Sequence, residues 1–258
     1  MLRGLFLLVL SVSAVASAQP RVLKVGVTAG PHAQILEVAA RVAAKEGLTV
    51  KIIEFSDYVQ PNEALAAGEL DANSFQHQPY LDQQKKDRGY RIVSIARTVT
   101  FPIGVYSRKH TALGQLPKGA RVALPNDPTN GGRVLKLLER EKLIQLRKGV
   151  GIDASVTDVE ANPKQLKFIE LDAAQLPRSL DDVDAAAINT NYALEAGLNP
   201  LKDALVREAA ASPYANVLAV RESERSRPEF QVLVRAYHSS EVKRFIDETF
   251  RGAIVTAW

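Results

Sequence analysis

Several kinds of residue are missing or scarce in this sequence, and each scarcity excludes a class of function. No cysteine is present, which excludes disulfide bonds, thiolate metal sites, cysteine nucleophiles and a lipid-modified N-terminal cysteine. Only four histidines occur, at positions 32, 77, 110 and 238, and no two of them have the spacing of zinc ligands. We therefore expect neither a metal site nor a cofactor.

Strong charge and the signatures of common enzymes are also missing. The formal net charge is +4 over 258 residues, without a dense basic run that alternates with aromatics, so nucleic-acid binding is not indicated. No G-x-S-x-G, H-E-x-x-H, P-loop or G-x-G-x-x-G pattern occurs. Asp71 and His77 are candidates for acid–base chemistry, but no nucleophile is placed with them. We therefore do not expect an enzyme.

The first 18 residues have the layout of a secretory signal peptide. Arg3 precedes an apolar run at 5–12, and Ala16, Ser17 and Ala18 form a small-residue cleavage site. An uncleaved membrane anchor is the alternative, although the apolar run is short for a membrane span. The sequence thus predicts a soluble protein that is exported to the periplasm and cleaved near residue 18.

The rest of the chain alternates between patterns that predict strands and helices. Strands at 21–27 and 48–55 flank a helix at 33–46, and this order implies a right-handed crossover between parallel strands. The alternation is interrupted by an extended segment at 98–107, which a second extended segment at 215–221 mirrors. We predict a two-lobed α/β fold in which each lobe is a mainly parallel sheet flanked by helices, with two hinge crossings between the lobes.

The interruption also gives domain boundaries. After a signal peptide at 1–18, residues 21–104 together with 216–258 would form lobe 1, and residues 105–215 would form lobe 2. Ligands of such folds bind at the carboxyl ends of the parallel strands. Those ends would face a single cleft between the lobes.

One stretch predicts a site for an anion. Residues 125–139, PNDPTNGGRVLKLLE, begin with turn formers and continue as an amphipathic helix with Thr129 or Asn130 as a candidate N-cap. A helix N-terminus attracts anions, and Arg133 offers a planar fork of donors to a carboxylate. The alternative is a capped surface helix with one solvated arginine.

Polar and aromatic side chains also follow the other predicted strands. They are Ser56, Asp57, Tyr58, Asn73, Phe75, Gln76, His77, Asn189, Asn191, Tyr214 and Asn216. With Arg133 they would suit a zwitterion with an apolar tail, because guanidinium binds carboxylate, amide oxygens accept from ammonium, and aromatic rings exclude water. Taken singly, each has a simpler interpretation as a core aromatic, a helix-capping histidine or an asparagine that ends a strand.

Four stretches resemble the NlpA-type methionine-binding proteins of ABC importers. They are FSDYVQPNEALAAGELDANSFQHQPYL, PNDPTNGGRVLKLLE, INTNYALEAGL and SPYANVLAVRE, and the resemblance extends from about residue 22 to 258. It implies a type II periplasmic-binding fold that captures a free amino acid and delivers it to an ABC permease and its ATPase. Many members carry a lipobox cysteine, which this sequence lacks, so we expect a freely diffusing periplasmic monomer without a lipid anchor.

The resemblance also implies roles for individual residues. Tyr58 and Phe75 would enclose the thioether, His77 would line the same pocket, Arg133 would hold the α-carboxylate, Asn189 and Asn216 would hold the backbone end of the ligand, and Asn73 and Tyr192 would be neighbours. These residues do not decide between L-methionine, D-methionine, related amino acids and short methionine peptides. An exported lyase-type enzyme for a small acid on the same bilobal fold is the alternative function, and a sensor or adhesin without a transporter is another.

Overall fold

A computed structural model of the protein describes residues 21–209 and 213–258. The predicted signal peptide, residues 1–18, lies outside this part of the chain. The strands are β1 Arg21–Thr28, β2 Leu48–Phe55, β3 Ala72–His77, β4 Ile92–Thr100, β5 Gly104–Tyr106, β6 Arg121–Pro125, β7 Gln145–Leu146, β8 Val159–Ala161, β9 Lys167–Leu171, β10 Ala185–Ile188, β11 Ala204–Arg207, β12 Ala215–Arg221 and β13 Val255–Thr256. The helices are α1 Pro31–Ala44, α2 Gln60–Ala66, α3 Gln78–Arg88, α4 Pro128–Arg140, α5 Leu176–Ser179, α6 Thr190–Glu195, α7 Pro228–Tyr237 and α8 Ser240–Phe250.

Two sheets define two lobes. The sheet of lobe 1 has the strand order β13-β4-β12-β3-β1-β2, and the sheet of lobe 2 has the order β11-β5-β10-β6-β9. The chain passes from lobe 1 to lobe 2 between β4 and β5, and it returns between β11 and β12. The predicted two-lobed α/β fold is confirmed. The domain boundaries at 104/105 and 215/216 stay predictions.

Both sheets are mixed, whereas the sequence predicted mainly parallel sheets. β1 pairs in parallel with β2 and β3, and β6 pairs in parallel with β9 and β10. The antiparallel pairs are β12 with β3 and β4, β13 with β4, and β5 with β10 and β11. β5 and β12 each enter their sheet from the opposite lobe, which reverses their direction relative to the crossover strands.

Alternating side chains give each sheet a core on both of its faces. In β6, Val122 and Leu124 pack into one apolar cluster of lobe 2, while Ala123 between them packs into the other. This is the two-residue period of a strand that is buried on both faces. In lobe 1, α1 packs on the sheet and contacts α7 and α8, which contribute to the same apolar cluster. No helix of the described residues combines the length and apolar composition needed to cross a membrane.

Helix α4 begins earlier than the sequence suggested. Neither Thr129 nor Asn130 caps it, because the Asp127 side chain accepts the backbone N–H of Asn130 at 2.9 Å and Pro128 occupies the first helical position. Arg133 consequently lies in the second turn of the helix rather than the first. The protein's own carboxylate thus occupies the helix N-terminus that was predicted to bind a ligand anion.

The second glycine of α4 allows a close approach between the helix and a neighbouring loop. A Cβ atom on Gly132 would lie 2.3 Å from the Ile152 carbonyl oxygen and 2.9 Å from the Ala154 nitrogen. Both neighbours are backbone atoms, so they cannot rotate away as a side chain would. The glycine therefore sets how closely α4 packs in lobe 2.

We predict that Gly132→Ala lowers the free energy of unfolding by about 1–3 kcal/mol, because the added methyl overpacks this contact. Urea unfolding monitored by circular dichroism measures the change. Gly114→Ala is the matched control, since no atom lies within 4 Å of the Cβ it would add. Equal stability of the two variants would show that the contact does not require glycine.

Candidate functional site

A small cavity of about 20 Å³ lies between the two lobes. It is lined by His32, Tyr58, Phe75, Gln76, His77, Tyr80, Phe101, Asn130, Arg133, Asn189, Asn191 and Asn216. Most of these residues lie at the ends of strands or in the first turn of the helix that follows, which is where an α/β fold collects ligand-binding groups.

The structure brings six of the eight predicted site residues to this cavity. They are Tyr58, Phe75, His77, Arg133, Asn189 and Asn216, whereas Asn73 and Tyr192 are not among its lining residues. Four other lining residues, His32, Tyr80, Phe101 and Asn130, were not predicted as ligand-binding residues, and Gln76 and Asn191 were predicted only as strand-end residues. His32 follows β1 just as Tyr58 follows β2, so the same strand-end argument would have found it.

Asn73 lies behind the cavity in a buried amide cluster. Its Nδ2 donates to Asn62 Oδ1 at 2.9 Å, and its Oδ1 accepts from Gln76 Nε2 at 3.1 Å. Asn62 and Gln76 are joined by two further bonds of 2.8 Å. Asn73 therefore supports Gln76, which does line the cavity.

Tyr192 joins the two lobes. Its hydroxyl donates to the Ser56 carbonyl oxygen at 3.2 Å, and its ring lies 5.1 Å from that of Tyr58. Tyr58 in turn donates to Asn191 Oδ1 at 2.6 Å. Since Ser56 and Tyr58 follow β2 of lobe 1 while Asn191 and Tyr192 lie in α6 of lobe 2, the lobes are in direct contact beside the cavity.

A chain of hydrogen bonds fixes the amides on one side of the cavity. Asp127 accepts from Asn130 Nδ2 at 2.9 Å, which turns Asn130 Oδ1 toward its other neighbours. That oxygen accepts from Asn189 Nδ2 at 3.0 Å and lies 3.2 Å from His77 Nε2. The Asn189 Oδ1, Asn191 Nδ2 and His32 Nδ1 atoms are buried without a hydrogen-bond partner in the described part of the chain. The lining residues thus offer a ligand an amide acceptor, an amide donor and an imidazole nitrogen.

The two histidines of the cavity are neutral. Burial lowers the pKa of His32 to about 3, and burial together with the Arg133 charge lowers the pKa of His77 to about 3. His77 Nδ1 accepts the backbone N–H of Tyr80 at 3.1 Å, so its proton is on Nε2, facing Asn130. Arg133 is therefore the one charged side chain among the lining residues.

The Arg133 guanidinium is held from several directions. Its side chain is 3 % exposed, which rules out the alternative of a solvated surface arginine. Nε donates to both carboxylate oxygens of Glu208 at 3.1 and 3.2 Å, and Nη2 donates to Glu208 and, at 2.8 Å, to the Phe101 carbonyl oxygen. The Tyr214 ring covers the guanidinium with its centroid 4.3 Å away, a cation–π contact.

Three aromatic rings form an apolar part of the cavity lining. The ring centroids of Tyr58, Phe75 and Tyr80 lie 6.0 to 6.1 Å from one another. Tyr80 is fixed in addition by a hydrogen bond of 3.0 Å from its hydroxyl to the Tyr58 carbonyl oxygen. The three rings offer an apolar surface to the part of a ligand that carries no charge.

A two-lobed α/β fold with a cavity between the lobes is the architecture of periplasmic substrate-binding proteins. The family model for NlpA lipoprotein matches residues 23–258. The chain belongs to this family.

Three comparisons describe the similarity. The chain is 49% identical over 242 residues to the D-methionine-binding lipoprotein MetQ of Escherichia coli K12, covering 93% of this chain and 89% of the relative. A nutrient-binding protein from Burkholderia cenocepacia, solved bound to methionine, is 56% identical with a TM-score of 0.90, covering 92% of this chain and 100% of the other. A periplasmic substrate-binding protein of an ABC transporter from Coxiella burnetii is 54% identical with a TM-score of 0.88, covering 91% and 100%.

We predict that the buried histidines destabilise the protein in acid. Their pKa of about 3 in the folded state lies below the ordinary value of 6.5, so the unfolded chain binds protons that the folded chain does not as pH falls from 6.5 toward 3. Each histidine then removes at most about 1.4 kcal/mol per pH unit. His32→Gln and His77→Gln should each show a shallower loss of unfolding free energy than the wild type in urea titrations across this range. A slope that equals the wild-type slope in both variants would contradict the prediction.

Proposed function

We propose that this chain is a non-enzymatic, extracytoplasmic binding protein that captures methionine, in the L or D form, or a close relative, and delivers it to an ABC importer. The observation that carries the proposal is Arg133, the one charged group among the lining residues that the structure describes, which shares the cavity with unpartnered amide atoms and aromatic rings. A zwitterion with an uncharged, apolar side chain complements all three features.

Each part of the ligand has a proposed partner. Arg133 holds the α-carboxylate, because a guanidinium binds carboxylate through charge-assisted hydrogen bonds. The unpartnered Oδ1 of Asn189 accepts from the ammonium, with Asn216 beside the same end of the ligand. Tyr58 and Phe75 enclose the thioether, and the neutral His77 lines the same space. Asn73 and Tyr192 act without touching the ligand, through Gln76 and through the contact between the lobes.

The names of the relatives support methionine as the ligand. The E. coli relative is named for D-methionine, and the B. cenocepacia protein was solved bound to methionine. The lining residues present a carboxylate-binding group and an apolar wall to either enantiomer. The proposal therefore covers both forms of methionine.

The proposed partners and location follow from the same relatives and from the N-terminal sequence. The C. burnetii protein is named as part of an ABC transporter, and we propose a permease and its ATPase as partners of a monomeric binding protein. Relatives are named lipoproteins, but these 258 residues contain no cysteine that could carry a lipid. We propose a signal peptide that is cleaved near residue 18 and a protein that is free in the periplasm.

We predict that Arg133→Ala weakens binding of L- or D-methionine by about 2–5 kcal/mol, the cost of removing one partner from a desolvated ion pair. Isothermal titration calorimetry measures the affinity, and thermal unfolding confirms that the variant is folded. Arg140→Ala is the matched control, because Arg140 lies at the exposed end of the same helix and pairs with Glu141. Unchanged affinity in Arg133→Ala would remove this residue from the ligand site.

A thermal-shift panel over free amino acids tests the ligand class. A ligand at roughly 100 times its Kd stabilises the folded state by about 2.7 kcal/mol, so methionine should give a clear shift. Absence of a shift with every methionine derivative would oppose the proposal.

Mass spectrometry of the recovered ligand separates a binding protein from the lyase alternative, since a binding protein returns its ligand chemically unaltered.

A further inference from the structure

Glu208 is the acidic group that contacts the charged residue of the cavity, although it is not itself among the lining residues. Its carboxylate is bound by Nε and Nη2 of Arg133, and the two side chains are 13 % and 3 % exposed respectively. Glu208 directly follows β11, in the segment that leads back to lobe 1, while Arg133 lies in α4. The pair thus joins a helix of lobe 2 to the start of the return crossing.

The hydrogen bonds divide the guanidinium into two sides. Nε and Nη2 are directed at Glu208 and at the Phe101 carbonyl oxygen, and Tyr214 covers the face of the group. Nη1 makes no hydrogen bond to the protein within residues 21–209 and 213–258. Because Arg133 lines the cavity, Nη1 is the donor left for a ligand.

Holding the group in this orientation needs an acceptor on its far side. A guanidinium has five N–H donors in a rigid fork, so the atom that receives Nε and Nη2 determines where Nη1 points. The Phe101 carbonyl oxygen accepts from Nη2 alone, and one bond leaves the group free to turn about that contact. Glu208 receives both Nε and Nη2, and two bonds to one carboxylate fix the plane as well as the direction.

We propose that Glu208 is a positioning residue of the binding site, which aims the free edge of Arg133 at the α-carboxylate of the ligand. The inference rests on the proposed function, and it deepens that function by assigning part of the carboxylate recognition to a residue outside the cavity. Glu208 acts on one end of the ligand only. Substitution of Glu208 should therefore weaken the binding of ligands that carry a carboxylate. It should leave unchanged the binding of ligands that carry an uncharged group in place of the carboxylate.

Two substitutions of Glu208 separate the effect of the carboxylate's position from the effect of its charge. Glu208→Gln keeps the size of the side chain but sets an amide N–H₂ against the guanidinium donors, so the group must turn. Glu208→Asp keeps the charge but withdraws the carboxylate by one methylene. Glu141→Gln is the matched control, because Glu141 receives Nε and Nη2 of the exposed Arg140 in a comparable way. Urea unfolding checks that every variant is folded.

Calorimetry with methionine and with methioninamide, whose carboxylate is replaced by an amide, measures the effect. We predict that Glu208→Gln and Glu208→Asp each weaken methionine binding by at least about tenfold, or about 1.4 kcal/mol, and change methioninamide binding by less than about threefold. Glu141→Gln should change neither affinity. The positioning role would be overturned if both ligands lost affinity equally or if the affinity for methionine did not change. It would also be overturned if only Glu208→Gln, and not Glu208→Asp, lost affinity for methionine.

A ligand-free measurement keeps this inference distinct from the proposed function. Nitrogen-15 NMR of the arginine side chains, assigned with Arg133→Lys, should show restricted rotation of the Arg133 guanidinium in the wild type and faster rotation in Glu208→Gln. Identical spectra in the two proteins would overturn the role of Glu208. If the wild type bound no methionine while the spectra differed, the proposed function would fail and the positioning of Arg133 by Glu208 would stand.

Discussion

The burial of one positive charge between the lobes is the constraint on which the rest of the site depends. An isolated guanidinium taken out of water is costly unless it is paired and hydrogen-bonded. Arg133 meets this requirement with groups from both connections between the lobes: the Phe101 carbonyl oxygen precedes β5, while Glu208 and Tyr214 lie between β11 and β12. The charge that faces the cavity therefore also fastens α4 to the two segments that join the lobes.

The other lining residues that the structure describes carry no charge, so none of them repels or neutralises the charge of Arg133. His32 and His77 are neutral, and their low pKa values follow mainly from burial. Asp127, the nearest acid on the same helix, uses its oxygens to cap α4 and to orient Asn130. Selectivity at such a site arises from the direction of fixed dipoles and from the shape of the aromatic wall, since a second charge would have to be desolvated in turn.

The sequence predicted those parts of the fold and site that follow from local pattern. The apolar pattern at 48–55 located β2, and the two extended segments that interrupt the alternation of strands and helices gave two lobes. Strand ends located Tyr58, Phe75, His77 and Asn189 at the cavity. Asn73 does not line the cavity, because it lies four residues before the carboxyl end of β3, about 13 Å at 3.3 Å per residue. The Asp-Pro pair at the start of α4 contained the capping signal that would have identified Asp127.

Other parts of the site could not be predicted in this way. The pairing of Arg133 with Glu208 spans 75 positions and ends in an irregular segment with no periodicity to place it. The antiparallel direction of β5 and β12 depends on which lobe each strand enters from, and pairing direction is not encoded in the hydrophobic pattern of a single strand. The Tyr192 to Ser56 bond likewise exists only once the lobes meet.

The hydrogen bond between Tyr192 and Ser56 affects the release of a ligand rather than its recognition. Tyr192 and Ser56 lie outside the lining of the cavity, and yet they hold its two halves together, as Tyr58 and Asn191 do from within it. A trapped molecule leaves only after the halves separate, so its residence time depends on bonds that it never touches. Side chains outside the lining therefore contribute to dwell time, and through it to affinity, without contacting the ligand. Natural variation at position 192 would change the rate of release while leaving the contacts with the ligand in place.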